Sequence, residues 1–315
     1  MIIWNMKRNI YSYSKLWMIL FVLMGAACTN QVEDAIPVSG QPIEFSVQSD
    51  WKEIPNTRLN DGKKQFAEGD KIQIFGFHTS PSNVVQKFMY RVGDGVRGQI
   101  VTFDGTNWNY SPKRFWPKEG TLDFYVGYPE YSVLYKEDKM TYEQTANPLQ
   151  LDLLWGVSAG NKCAKDSNPK VEVTMKHALA KVNIILDKSL GDIGQVTVSG
   201  YKAGHFSPMT NNDGVPVWEI DDVNTHINAD FKYEEIHKNN SVTVTVFILP
   251  DKITGLWMFD YDGHMIYDPY ASEEIQKHTF EAGKVYNLKI SKSNGVRKKN
   301  TNSRSIAMSV RCVSE

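Results

Sequence analysis

Ser241–Leu249 reads SVTVTVFIL. Val242, Val244, Val246 and Ile248 alternate with hydroxyl residues at Ser241, Thr243 and Thr245, the period-2 pattern of a strand with one buried face. β-Branched residues dominate it, and they favour the pleated backbone. It is the clearest strand in the chain and is expected to sit centrally in its sheet. Downstream, Leu256–Phe259 and His264–Tyr267 flank Asp260–Gly263, which predicts a hairpin. Glu281-Ala282-Gly283 turns the chain into a further strand, Val285–Ile290. Upstream, Gln195–Tyr201 alternates, and Asn211–Gly214 is a turn before Val215–Trp218.

The same pattern continues toward the N-terminus. Ile43, Phe45 and Val47 alternate with Glu44, Ser46 and Gln48. Phe66–Asp70 is a turn feeding Ile72–Phe77, and Val84–Val92 is a further candidate strand. Ile100–Phe103 and Trp108–Tyr110 flank Asp104-Gly105, a strong hairpin signal. Leu122–Tyr128 is another strand, and Leu149–Val157 is followed by an expected polar loop over 158–170. Val171–Met175 and Val182–Leu186 are two strand segments with a bend near His177. Short strands with frequent turn signals predict an all-β protein of antiparallel sandwich type.

Trp 8, Tyr 15 and Phe 14 supply aromatic core. Lys+Arg 35 against Asp+Glu 36 leaves no net field to draw nucleic acid, which is not an expected partner. Length suits two domains. The expected division is a leader over 1–27, a tether and first strand over 28–58, an N-terminal sandwich over 59–180, a C-terminal sandwich over 181–291, and a linker with a last strand over 292–315.

The two ends carry separate signals. Lys7, Arg8 and Lys15 precede the apolar run Leu16–Met24, which is shorter than the roughly 20 residues that span a bilayer. Met24-Gly25-Ala26-Ala27-Cys28 places small residues directly before a cysteine, as in a bacterial lipobox. The implied chemistry is cleavage before Cys28 and acylation there. Thr29–Pro42 is polar and is expected to be a flexible tether. After the polar run 291–305, alternation returns at Ile306, Met308, Val310 and Cys312. A strand on such a linker packs either on its own domain or on another molecule. Cys163 and Cys312 read as free, small apolar residues; the alternative is a disulfide between them, which export would permit and which would tie the chain end to the middle.

Catalytic patterns are missing from the sequence. There is no GxSxG, HExxH or phosphate-cradling glycine loop, and no enzyme activity, metal or cofactor is expected. His177 reads as a satisfied core or turn histidine. Asp260, Asp262 and Asp268 are near one another, but not at the spacing of an EF-hand.

Glu68-Gly69-Asp70 after Phe66, then FWPKEGTLDFYVGYP, VTMKHALAKVNIIL, VFILP and FEAGKVYNLKI, in that order, resemble the fimbrillin-like lipoproteins of Bacteroidetes. These are the subunits and accessory proteins of type V pili. The resemblance implies two tandem transthyretin-like β-sandwich domains and display at the outer membrane through lipid on Cys28. It implies that an arginine-specific protease cuts between Arg58 and Leu59, removing the strand of Ile43, Phe45 and Val47. The strand of Ile306, Met308, Val310 and Cys312 from another pilus subunit would then fill the groove. The same fold also serves tip or accessory adhesins, anchor subunits and glycan-binding surface lipoproteins, so host protein or glycan is a further expected partner. By itself Arg58 is equally an exposed loop arginine.

Overall fold

A computed structural model of the chain describes residues 36–50, 65–145, 148–164, 167–211, 214–232, 241–267, 275, 278–292 and 308–314. The first strands are β1 (Val38–Pro42), β2 (Phe45–Ser49), β3 (Lys71–Thr79), β4 (Val85–Met89), β5 (Gln99–Phe103), β6 (Trp108–Asn109) and β7 (Phe115–Pro117). There follow β8 (Thr121–Tyr128), β9 (Val133–Lys136), β10 (Lys139–Glu143), β11 (Leu154–Lys162), β12 (Val171–His177) and β13 (Ala180–Leu186). The remainder are β14 (Gln195–Tyr201), β15 (Ala203–Phe206), β16 (Trp218–Ile220), β17 (His226–Lys232), β18 (Val242–Ile248), β19 (Gly255–Phe259), β20 (Met265–Tyr267), β21 (Val285–Lys292) and β22 (Met308–Ser314).

The largest sheet has 8 strands, ordered β2-β12-β11-β8-β3-β5-β6 with β4 also on β3. Two 4-stranded sheets, β18-β13-β21-β22 and β17-β14-β19-β20, are built from later chain. They face each other over one apolar core, in which Val182 and Ile184 of β13 and Leu288 of β21 meet Val196 and Val198 of β14 and Leu256 of β19. Each alternates along its strand, so each sheet offers one apolar face and the pair closes as a sandwich.

The bend expected near His177 is where the chain leaves the large sheet. Residues 178–180 are wholly buried there, and β13 then enters the later sandwich. Chain from both sides of this bend is mixed in a fourth sheet, β16-β15-β10-β9. Phe75, Tyr125 and Trp155 of the large sheet share a buried cluster with Met140, Phe206, Phe247 and Leu249. The described residues from Ser39 onward accordingly form one compact unit.

Four sequence expectations are corrected. SVTVTVFIL, as β18, lies at the end of its sheet rather than in its centre; the central place goes to β13, flanked by β18 and β21. Alternation reports one buried face and says nothing about how many backbone edges are paired. The expected tether through Pro42 ends in a strand, because β1 pairs with β7 and Gln41 Nε2 donates to Asn168 O at 2.7 Å. The expected polar loop after Val157 is strand as far as Lys162, since β11 stays on β8 with a register shift between Ser158 and Asn161. Finally, the ladders of β2 on β12 and of β13 on β21 are parallel.

Candidate functional site: two strands added at sheet edges

Strand β2 closes one edge of the large sheet. It runs parallel to β12, with Phe45 opposite Val171, Val47 opposite Val173 and Ser49 opposite Met175. The ladder continues at both ends, where Val171 N donates to Glu44 O and Asp50 N donates to Met175 O, each at 2.8 Å. A parallel pair cannot be joined by a tight hairpin. β2 is therefore tied to β12 only through the long course of the chain from Ser49 to Val171.

The inward face of this strand is apolar. Ile43, Phe45 and Val47 are 0%, 3% and 8% exposed, while Glu44 and Gln48 face solvent. Phe45 meets Tyr110 and Phe124 edge to face, with centroids 6.0 and 5.2 Å apart. Such aromatic pairs add to plain area burial. The Tyr110 hydroxyl donates to Ile43 O at 2.8 Å, and Ile43 N donates to Arg114 O at 2.9 Å. Burial pushes the Tyr110 phenol up to about 12, so it remains a donor at any ordinary pH. At the rim, Lys170 Nζ stands 3.7 Å from Glu44 Oε2. Behind β12, Gly156 of β11 gives the space its side chains need. A Cβ there would lie 2.6 Å from Val173 Cγ1.

Strand β22 completes a different edge. Met308, Val310 and Cys312 lie in a strand antiparallel to β21, with Leu288 opposite Cys312 and Ile290 opposite Val310. Of the residues expected to matter, Cys28, Arg58, Leu59 and Ile306 lie outside the described residues.

Where β2 ends, a buried charged cluster lies at the bend between sheets. His177 Nδ1 contacts Asp152 Oδ2, and Lys181 is 5% exposed beside them. Burial alone would lower the His177 pKa, but the Asp152 carboxylate overcomes this and holds it above 6.5. Burial depresses Lys181 to about 8. Asp152 Oδ1 has no hydrogen-bond partner among the described residues. The expected satisfied histidine is thus half of a strong pair. On the β19–β20 turn, ligand atoms of Asp260, Asp262 and His264 lie within 4.8 Å of one another. Asp260 Oδ1 already accepts from the Asp262 and His264 amides at 3.0 and 2.7 Å, and Asp268 lies outside the described residues.

Nothing in the sequence marks Tyr110, Phe124 or Gly156 as part of this edge. Tyr110 reaches a carbonyl 67 residues away, and no local pattern encodes such a contact. The Trp108–Tyr110 hairpin signal places the residue but not its role.

The fold and these edges define an all-β protein in which single strands, β2 and β22, complete two sheet edges. Residues 57–307 match the fimbrillin-like family, and the chain belongs to that family. Its fold is similar to that of a candidate cell adhesion protein from Bacteroides uniformis, with TM-score 0.52, 16% identity, and 88% of this chain and 98% of that one covered. A second such protein, from Bacteroides ovatus, matches with TM-score 0.51, 14% identity and coverage of 87% and 97%. Among curated proteins none matches.

Proposed function

We propose that the chain is a structural subunit of a cell-surface type V fimbria that serves adhesion. In this reading it is exported as a lipoprotein, held at the outer membrane through Cys28, and cut between Arg58 and Leu59 by an arginine-specific protease. Loss of β2 opens a groove, and the strand Ile306–Val313 of another subunit fills it. The single observation that carries the reading is the placement of β2. It is an edge strand, it is joined to its neighbour by no local hairpin, and it buries Ile43, Phe45 and Val47.

The chemistry favours exchange over simple loss. A vacated edge leaves the β12 backbone unpaired and exposes Tyr110 and Phe124. Burial of aliphatic or aromatic side chains contributes roughly 1.5–3 kcal/mol each, so an empty groove has a strong preference for a replacement strand. Main-chain ladder bonds give such a strand affinity, and alternate side chains give it fit. A subunit that accepts at one edge and donates at its other end makes a head-to-tail contact, which propagates as a filament.

One observation favours a second reading, an anchor or other non-polymerising subunit. β22 already pairs with β21 of its own chain, and to donate it must leave that edge. Intact mass of the protein taken from the native cell surface separates the two. A species that begins at Leu59 and has no lipid is the expected result. A species that begins at acylated Cys28 with β2 in place overturns polymerisation and leaves the anchor.

A further inference from the structure

We infer that a cleft beside Tyr131 is a binding site for a carboxylate-bearing saccharide, an acidic sugar of the sialic or uronic type. The cleft holds about 570 Å3, within the range of small-ligand sites. Its wall is two loops, and its floor is the β9–β10 ladder at Leu134 and Thr141 with Ala203 beyond.

Two guanidinium groups converge on one ring there. Arg91 Cζ lies 5.5 Å from the Tyr131 centroid and Arg97 Cζ lies 5.9 Å from it. Arg97 is fixed in place: its Nη1 donates to Asp94 Oδ2 at 2.8 Å, and Asp94 Oδ1 accepts the Val96 and Arg97 amides. Burial works against the ionised Asp94, but the Arg97 and Val96 amides and the guanidinium outweigh it and hold the carboxyl below its usual range. The loop carrying both arginines is fastened at Arg91 N to Arg97 O, 2.8 Å, and at Tyr135 N to Val96 O, 2.7 Å. Gly98 presses it onto β3, since an added Cβ would lie 2.9 Å from the Ile74 carbonyl.

Tyr131 is held in a costly conformation. Its φ is +63°, in the left-handed region that a bulky side chain rarely adopts, and yet it is 49% exposed. Packing does not call for a tyrosine there. The turn is locked next to it by the Ser132 hydroxyl, which donates to Pro129 O at 2.7 Å. Backbone strain kept at an exposed, rigidly framed aromatic residue is a mark of a binding position.

The charge balance selects the ligand. Of the carboxylates near the cleft, Asp94 pairs with Arg97 and Glu143 with Lys202 at 2.7 Å, while Asp221 is hydrogen-bonded to His205 Nδ1 at 2.5 Å. The three cations Arg91, Arg97 and Lys136 line the cleft against the two carboxylates of Glu143 and Asp221. Among the described residues Arg91 and Lys136 pair with no carboxylate, and both line the cleft. Guanidinium recognises a carboxylate through paired N–H donors. The apolar face of a pyranose suits the exposed Tyr131 ring, and the Ser132 and Thr141 hydroxyls, which donate to Pro129 O and Leu134 O, keep lone pairs to accept from its hydroxyls. An aromatic ring, the fixed guanidinium of Arg97 and the unpaired one of Arg91 beside it fit an acidic sugar better than a neutral one.

The inference needs neither cleavage nor strand exchange, and it is tested on the purified, uncut protein. Calorimetric titration with 3′-sialyllactose and with a hyaluronan tetrasaccharide, against lactose as neutral control, is the measurement. Saturable binding of at least one acidic saccharide, about tenfold tighter than lactose, is expected. Which one binds tells a sialic from a uronic ligand. Arg91→Ala should weaken it about tenfold and Arg91→Lys less, because charge survives and the fork is lost. Tyr131→Asn removes the ring and keeps a residue that tolerates positive φ; it too should weaken binding, while Tyr261→Ala on a distant turn should not. The inference is overturned if neither acidic saccharide saturates, if lactose binds as well, or if Arg91→Ala and Tyr131→Asn bind like the parent. Loss of binding in a variant counts only where its thermal unfolding matches that of the parent.

Discussion

Strands β2 and β22 each complete a sheet edge with one ladder, but they are held in different ways. β22 is antiparallel to β21 and follows it after residues 293–307, so a short closure brings it home. Closing a short loop costs little entropy, and a tethered strand has a high effective concentration at its own edge. β2 is parallel to β12 and is separated from it by most of the first half of the chain. Its hold is therefore its side chains: Ile43, Phe45 and Val47 among Tyr110 and Phe124. A cut on its C-terminal side would turn β2 into a separate peptide, whereas β22 keeps its tether. The first edge is held by side-chain fit, and the second has the advantage of proximity.

That difference can be broken most strongly at Phe45. Phe45→Ala removes a side chain 3% exposed with two edge-to-face partners, and a loss of about 3–5 kcal/mol is expected. Urea denaturation read by tryptophan fluorescence measures it. Removing residues 308–315 should cost less than this and leave the unfolding of the large sheet unshifted. A tail deletion that costs more than Phe45→Ala would reverse the contrast. Gly156→Ala comes next. Its Cβ would sit 2.6 Å from Val173 Cγ1 and 3.1 Å from Met175 Cγ, displacing the strand that β2 pairs with. Overpacking of this kind costs about 1–3 kcal/mol, and the same denaturation curves read it.

The sequence shows one edge better than the other, for physical reasons. Ile43, Phe45 and Val47 alternate, so both the strand and its buried face are legible. That the strand is parallel to β12 is not, because alternation is identical in either direction. Nor does alternation tell how many backbone edges are paired, which is why SVTVTVFIL reads as central and lies at the end of its sheet. Val38–Pro42 does not read as a strand, because hydrogen bonds of the Gln41 side chain to Asn168, rather than apolar contacts, accompany its ladder. The cleft at Tyr131 depends on loops brought together from Arg91, Arg97 and Tyr131, and only the folded chain shows that the three side chains meet.

The charged bend next to β2 gives a pH test. Asp152 holds His177 above 6.5. A base with a raised folded pKa adds stability that is fully present below its unfolded value and is lost as pH rises through the folded one. Stability should therefore decline on going upward from pH 6.5. Lys181, depressed to about 8, acts with the opposite sign, since the unfolded chain binds the proton more readily between about 8 and 10.5. Its contribution makes stability rise over that range. Asp152→Asn should flatten the first decline and lower the His177 pKa, read as the midpoint of its imidazole proton shift on NMR titration. An unchanged midpoint in that variant would remove Asp152 as the cause.

The smallest effect expected is at the rim of the β2 edge, and it separates the two forces that could hold this strand. Glu44 and Lys170 face each other at 3.7 Å with side chains 63% and 44% exposed. Water and salt screen such a pair, and exposed pairs contribute under about 1 kcal/mol. Glu44→Gln leaves the Glu44 carbonyl free to accept from Val171 N, so the ladder is intact. The change in unfolding free energy should be a few tenths of a kcal/mol and vanish in about 1 M salt. If Glu44→Gln instead rivals Phe45→Ala, the strand is held by charge at its rim rather than by its apolar face. Its retention would then depend on ionic strength, which side-chain fit does not.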